Sequence, residues 1–114
     1  MTAQTIAELV NGVFLCGEEN SAREVRYAFA ADLMSDVLTL THDDVLFITG
    51  LVAPQTIRTA VVSDISTILF VRNKNVPTSI ISIAKENDIT LVSSPFSMYR
   101  ASGTLFTAGL EAIF

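Results

Sequence analysis

The sequence is short of the residues on which most enzyme chemistry depends. Among its 114 residues it holds one cysteine, Cys16, and one histidine, His42. A lone cysteine cannot close an internal disulfide, and the pair cannot supply the four ligands of a structural zinc site. Only seven residues are basic, and Arg23, Arg26, Arg58, Arg72, Lys74, Lys85 and Arg100 are scattered along a chain of formal charge −5. That arrangement offers no stripe to a duplex or an anionic membrane, so neither is expected as a partner. No apolar run approaches the roughly 20 residues that span a bilayer, and the N-terminus lacks the basic start and unbroken apolar core of a signal peptide. The glycines form neither G-x-x-x-x-G-K-[ST] nor G-x-G-x-x-G, which excludes a nucleotide-hydrolysing or phosphotransferring site of the usual kind. These absences describe a soluble, cytoplasmic chain with no catalytic group, metal or cofactor expected.

What is present is mostly apolar. Half of the residues (50%) are hydrophobic, mean hydropathy is +0.50 and only 17% are charged. At this length the chain fits a single domain, residues 1–114, around one core. A lone copy has few polar side chains with which to cover itself, which points to self-association.

Apolar periodicity then divides the chain. Thr5-Ile6-Ala7-Glu8 has capping-box spacing and opens a helix that Asn11-Gly12 stops. Short strands are expected at Val13–Cys16 and Glu24–Ala30, with a helix over residues 32–40. Val45–Thr49, Ile65–Val71 and Ile89–Ser93 are almost wholly apolar, as strands covered on both faces must be. Each precedes a helix with a proline in its first turn, Pro54, Pro77 and Pro95, where the missing N–H has no helical partner to lose. The expected fold is α/β, with a mostly parallel sheet of about four to five short strands flanked by helices.

Read as one closing helix, residues 95–114 carry two apolar stripes. Met98, Ala101, Leu105, Ala108 and Ala112 form one, and Phe96, Tyr99, Phe106, Leu110 and Ile113 form the other. The sheet covers one; the second needs a neighbouring helix or a second copy, and a homodimer is the favoured reading.

Parallel strands gather their C-terminal ends on one edge, the usual ligand edge of open α/β sheets. That edge collects Thr49 and Gly50, then Arg72, Asn73 and Lys74, then Ser93 and Ser94, with helix starts and two cations suited to an anion. Ordinary capping explains the same residues, and residues 47–62 read first as a strand-to-helix turn. His42-Asp43-Asp44 reads as a polar turn, Glu18-Glu19 and Asp32 with Asp36 as surface charge, and Cys16 as a small buried residue.

Taken in order, "IAELVNGVFLCGEE", "REVRYAFAADLMSDVL", "DDVLFITG" and "ISTILFVRNKNVPTSIISIAKENDITLVSSPFSMYRASG" resemble a DRTGG domain over almost the whole chain. The resemblance extends to the non-catalytic N-terminal domain of HPr kinase and to the DRTGG domains of CBS-domain pyrophosphatases and phosphate acetyltransferases. Some standalone members are encoded beside iron-only hydrogenase genes. It implies a dimeric α/β regulatory module that senses a nucleotide or other metabolite. Where the family has Gly-Asp-Arg, this chain reads Gly50-Leu51-Val52; where it has Thr-Gly-Gly, this chain reads Val71-Arg72-Asn73. The expectation is a non-enzymatic regulatory or accessory homodimer linked to hydrogenase or energy metabolism, with a partner protein or small-molecule effector. The alternative is a nucleotide-type sensor binding at the strand ends.

Overall fold

Leu46, Phe47 and Ile48 are consecutive and all buried, as are Ile68, Leu69 and Phe70. Successive side chains of a strand point to opposite faces, so both faces of these strands must be covered. The computed structural model, which describes residues 1–114, shows how. Phe47, Ile68, Phe70 and Leu91 face a core shared with Val37, Ile57, Ala60, Ile80 and Ala84, while Leu46, Ile48, Leu69 and Val92 face Ile6, Val10, Ala101 and Leu105.

The elements run α1 (Ala3–Leu9), β1 (Val13–Cys16), a 3₁₀ turn (Glu18–Asn20), β2 (Tyr27–Ala30), α2 (Met34–Val37), β3 (Val45–Thr49), α3 (Pro54–Val62), β4 (Thr67–Phe70), α4 (Thr78–Glu86), β5 (Thr90–Ser93), α5 (Met98–Thr107) and β6 (Glu111–Ala112). They build one six-stranded sheet in the order β1-β5-β4-β3-β2-β6, antiparallel only between β1 and β5. Strands β2 to β5 step across the sheet in chain order, which puts α2, α3 and α4 on one face. The chain then returns over the other face through α5, beside α1, to lay β6 against β2.

One device ends four of the helices. Asn11, Asp64, Asp88 and Gly109 follow α1, α3, α4 and α5 at φ of 52°, 59°, 56° and 107°. In each case the next amide reaches back to a carbonyl five residues earlier: Gly12 to Ala7, Ile65 to Ala60, Ile89 to Ala84 and Leu110 to Leu105, at 2.7 to 3.1 Å. This is the Schellman arrangement, in which a left-handed residue lets the last carbonyls find partners. Asparagine and aspartate tolerate that conformation better than other side chains, so glycine is needed only once.

Several expectations need correction. The N-cap of α1 is Thr2, whose Oγ1 accepts from Thr5 N at 3.1 Å, so Thr5 lies inside the first turn. The second strand shortens to Tyr27–Ala30, because Val25 N donates to Met1 O and Glu24 forms an isolated bridge with Thr2. The helix expected over 32–40 is the single turn of α2. Pro54 does open α3, but Pro77 caps α4 and Pro95 lies ahead of the α5 cap, Ser97, whose Oγ accepts from Arg100 N at 3.1 Å.

The largest correction falls on the closing segment. The turn at Gly109 stops α5, and a sixth strand follows instead of two more helical turns. Phe96 and Leu110 therefore lie in the chain's own core, 8% and 3% exposed, and Ile113 packs against the α2–α4 side. Of the five residues expected on an outer stripe, Tyr99 (90% exposed) and Phe106 (68%) face outward.

Candidate functional site

The ends of β2, β3, β4 and β5 converge on one edge because those strands are parallel. Asp32, just beyond β2, accepts from Thr49 Oγ1 at 3.0 Å and from Gly50 N at 2.8 Å through one oxygen, Oδ1. Lys74, just beyond β4, donates from Nζ to Gly50 O at 2.6 Å. Thr49 Oγ1 also accepts from Leu51 N at 3.1 Å, and Thr56 Oγ1 donates to Leu51 O at 2.7 Å. The result is a clasp across three strand ends, in which opposite charges hold the two sides of one peptide segment. A Cβ on Gly50 would meet Asp32 Oδ1 at 3.6 Å and Lys74 Nζ at 3.7 Å, which is ordinary contact, so space does not demand glycine there.

Thr49, Gly50 and Lys74 of the expected set thus come together. Asp32, read from sequence as surface charge, is their centre. The signal available was its place directly after an apolar strand, which matters only once β2 is known to lie beside β3.

Arg72 and Asn73 are exposed and adopt φ of 68° and 52°. Arg72 N donates to Phe96 O at 2.7 Å and Asn73 N to Ser94 O at 2.9 Å, which pins this turn to the end of β5. The ion pairs of the chain are Met1–Glu24, Arg23–Asp88 and Arg26–Glu111, so the Arg72 guanidinium is left free of any. Ser94 is buried and structural: its Oγ donates to Val10 O at 2.6 Å and accepts from Phe96 N at 3.1 Å. Ser93 sits partly exposed at the end of β5.

Cys16 is buried and its Sγ donates to Ile89 O at 3.3 Å. Burial pushes this thiol above its ordinary range, against a smaller lowering by a backbone hydrogen bond from Leu91. His42 packs its ring 4.7 Å from that of Tyr27 on β2, and three strands separate β2 from β1, so cysteine and histidine are not neighbours. Nowhere do three or more His, Cys, Asp or Glu side chains gather in a cluster able to hold a metal ion.

A concavity lies on the other face, where α1 and α5 leave the β2–β6 side of the sheet uncovered. This hollow of about 450 Å³ is lined by Ala28, Ala30 and Ile48 from the sheet and by Tyr99, Ser102, Gly103, Leu105 and Phe106 from α5. Leu110, Ala112, Arg100 and Glu111 complete its rim. The Ser102 hydroxyl is buried without a hydrogen-bond partner.

These features define a mostly parallel α/β domain with a polar, self-clasped strand-end edge and an apolar hollow behind it. The chain belongs to the DRTGG domain family, a family of regulatory domains, whose model matches residues 5–107. It is similar in fold to the solved CBS and DRTGG domains of the regulatory region of Clostridium perfringens pyrophosphatase, complexed with the activator diadenosine tetraphosphate. The two share 16% identity at a TM-score of 0.72, over 90% of this chain and 46% of that one, so this chain spans about half of that structure. No curated protein matches the sequence.

Arg72 and Asn73 hold the left-handed conformation that glycine takes most readily. A left-handed non-glycine residue costs about 1–2 kcal/mol. Val52 packs against the α2–α4 core.

Proposed function

We propose that the chain is a non-enzymatic regulatory module working as a homodimer, held together through the outward face of α5. The observation that supports this is the exposure of Tyr99 and Phe106, seven residues apart and so on one side of the helix, beside an apolar hollow. Large aromatic side chains are the usual anchors of protein interfaces, and here two of them share one face of a chain with little charge elsewhere. A place in hydrogenase or energy metabolism rests on the resemblance to standalone family members alone. Replacing Phe106 with aspartate puts a charge at the centre of this face. Sedimentation velocity is expected to show Phe106→Asp as monomer where the parent chain is dimer, and an unchanged dimer would refute this face as the interface.

A second reading, an effector bound at the strand ends, is favoured by the Arg72 guanidinium, free of any ion pair on the exposed turn that leads to Lys74, and by the nucleotide activator named for the pyrophosphatase region. A ligand of the folded state raises the melting temperature by mass action, by several degrees at saturation for a domain of this size. Diadenosine tetraphosphate and the simple adenine nucleotides are expected to do so in thermal unfolding, and Arg72→Ala to abolish the shift. Melting curves unmoved by any of them would remove this reading.

A further inference from the structure

Phe96 holds two arginines that are distant in the chain. Arg72 N donates to Phe96 O at 2.7 Å, and the Arg100 guanidinium lies over the Phe96 ring, 3.8 Å from its centre. Phe96 is itself buried, so both attachments are to a fixed residue. The Arg72 side is braced a second time, because Asn73 N donates to Ser94 O at 2.9 Å. Both arginine side chains are exposed.

Neither guanidinium has an acceptor. The side-chain hydrogen bonds made by arginine come from Arg23 and Arg26, and the ion pairs belong to Met1, Arg23 and Arg26. A guanidinium stacked on an aromatic face spends its plane and keeps its N–H edge. Arg100 is thus held in orientation by the ring with its donors unused.

The local charge does not cancel. In the clasp, Asp32 and Lys74 hold the same Gly50 peptide segment, one charge of each sign. Arg72 and Arg100, gathered at Phe96 beyond the ends of β4 and β5, are two positive charges with no counter-charge, on a chain of formal charge −5. Like charges held near one another repel, and an anion bound by both removes that repulsion. A carboxylate offsets one charge. A phosphate group carries about −1.5 to −2 at neutral pH and three strong acceptor oxygens, which suits two guanidinium forks.

We infer that Arg72 and Arg100 together bind a phosphate group in front of Phe96, as part of a pyrophosphate or phosphate-ester ligand. This rests on the strand-end effector reading and adds to it a second arginine and the chemical group that the pair takes.

Titrating the ¹⁵N-labelled chain with inorganic pyrophosphate at constant ionic strength tests the site. The amides of Arg72, Asn73, Phe96 and Arg100 are expected to shift together. Arg72→Gln and Arg100→Gln are each expected to weaken binding by about tenfold or more, the usual effect of losing a charge-assisted hydrogen bond. Arg58→Gln removes another exposed, unpaired charge, from α3, and is expected to leave binding unchanged. All three side chains lie at the surface, and thermal unfolding by circular dichroism confirms that each variant is folded. Pyrophosphate that moves none of the four amides, or an Arg58→Gln loss equal to that of Arg100→Gln, overturns the paired site. Binding of diadenosine tetraphosphate that needs Arg72 but not Arg100 also overturns the pair, and leaves the strand-end reading standing. A chain that binds neither pyrophosphate nor any nucleotide overturns both.

Discussion

Thr67 shows how a single hydroxyl can work against the fold. It begins β4, is 1% exposed, and its Oγ1 has no hydrogen-bond partner. A buried donor or acceptor left unpaired costs about 1–3 kcal/mol, whereas an apolar group of the same shape loses nothing. Thr67→Val is therefore expected to raise stability by about 1 kcal/mol, seen as a higher urea midpoint with an unchanged slope. Ser94 is the opposite case. Its hydroxyl satisfies both Val10 O and Phe96 N inside the protein, so two elements depend on it. Asp32 belongs with Ser94: one carboxylate oxygen binds a strand-end hydroxyl and an amide, and the polar edge is assembled around it.

At the scale of elements, the decisive local event is how each helix stops. Asn11, Asp64, Asp88 and Gly109 all turn left-handed and send the chain back along its own helix. The apolar residue after the turn is then buried, Ile65 ahead of β4, Ile89 ahead of β5 and Leu110 ahead of β6. At Gly109 the turn replaces two further turns of helix with β6, whose Glu111 N donates to Arg26 O at 3.1 Å. Its φ of 107° lies outside what a residue with a Cβ adopts readily. Gly109→Ala should accordingly cost about 1–2 kcal/mol. Hydrogen exchange should locate the loss, with the Glu111 amide losing protection before those of β3 and β4.

Over the whole molecule, the two helix layers are unequal. Three helices cover one face of the sheet and two cover the other, and the deficit lies over β2 and β6, where Tyr99 and Phe106 project. Burying an aromatic side chain is worth about 1.5–3 kcal/mol, so covering this face in a dimer adds to the stability of each copy. Folding is then linked to association, and the melting temperature is expected to rise with protein concentration over the micromolar range. A melting temperature independent of concentration would count against any dimer whose formation buries this face.

Legibility from sequence followed the range of the interaction. Val45–Thr49 was readable as a strand because it is almost wholly apolar and rich in branched residues, the composition that burial on both faces requires. Pro54 marked the start of α3 through a local rule about the first helical N–H. Residues 95–114 misled because helical periodicity can be drawn through Leu110 and Ile113, while one glycine conformation cancels it. The strand-end residues Thr49, Gly50 and Lys74 were visible as a set, but their partner Asp32 was not, since it joins them only across two strand pairings.

The sequence alone determined the α/β alternation and the covered parallel strands, because those follow from side-chain size and polarity within a few residues. Only the tertiary structure decided that β6 returns to the edge beside β2, that Asp32 clasps the end of β2 to β3 while Lys74 clasps β3 to the end of β4, and that Phe96 and Leu110 turn inward while Phe106 turns out. Those outcomes depend on which distant segments share a face, and distance along the chain carries no record of that.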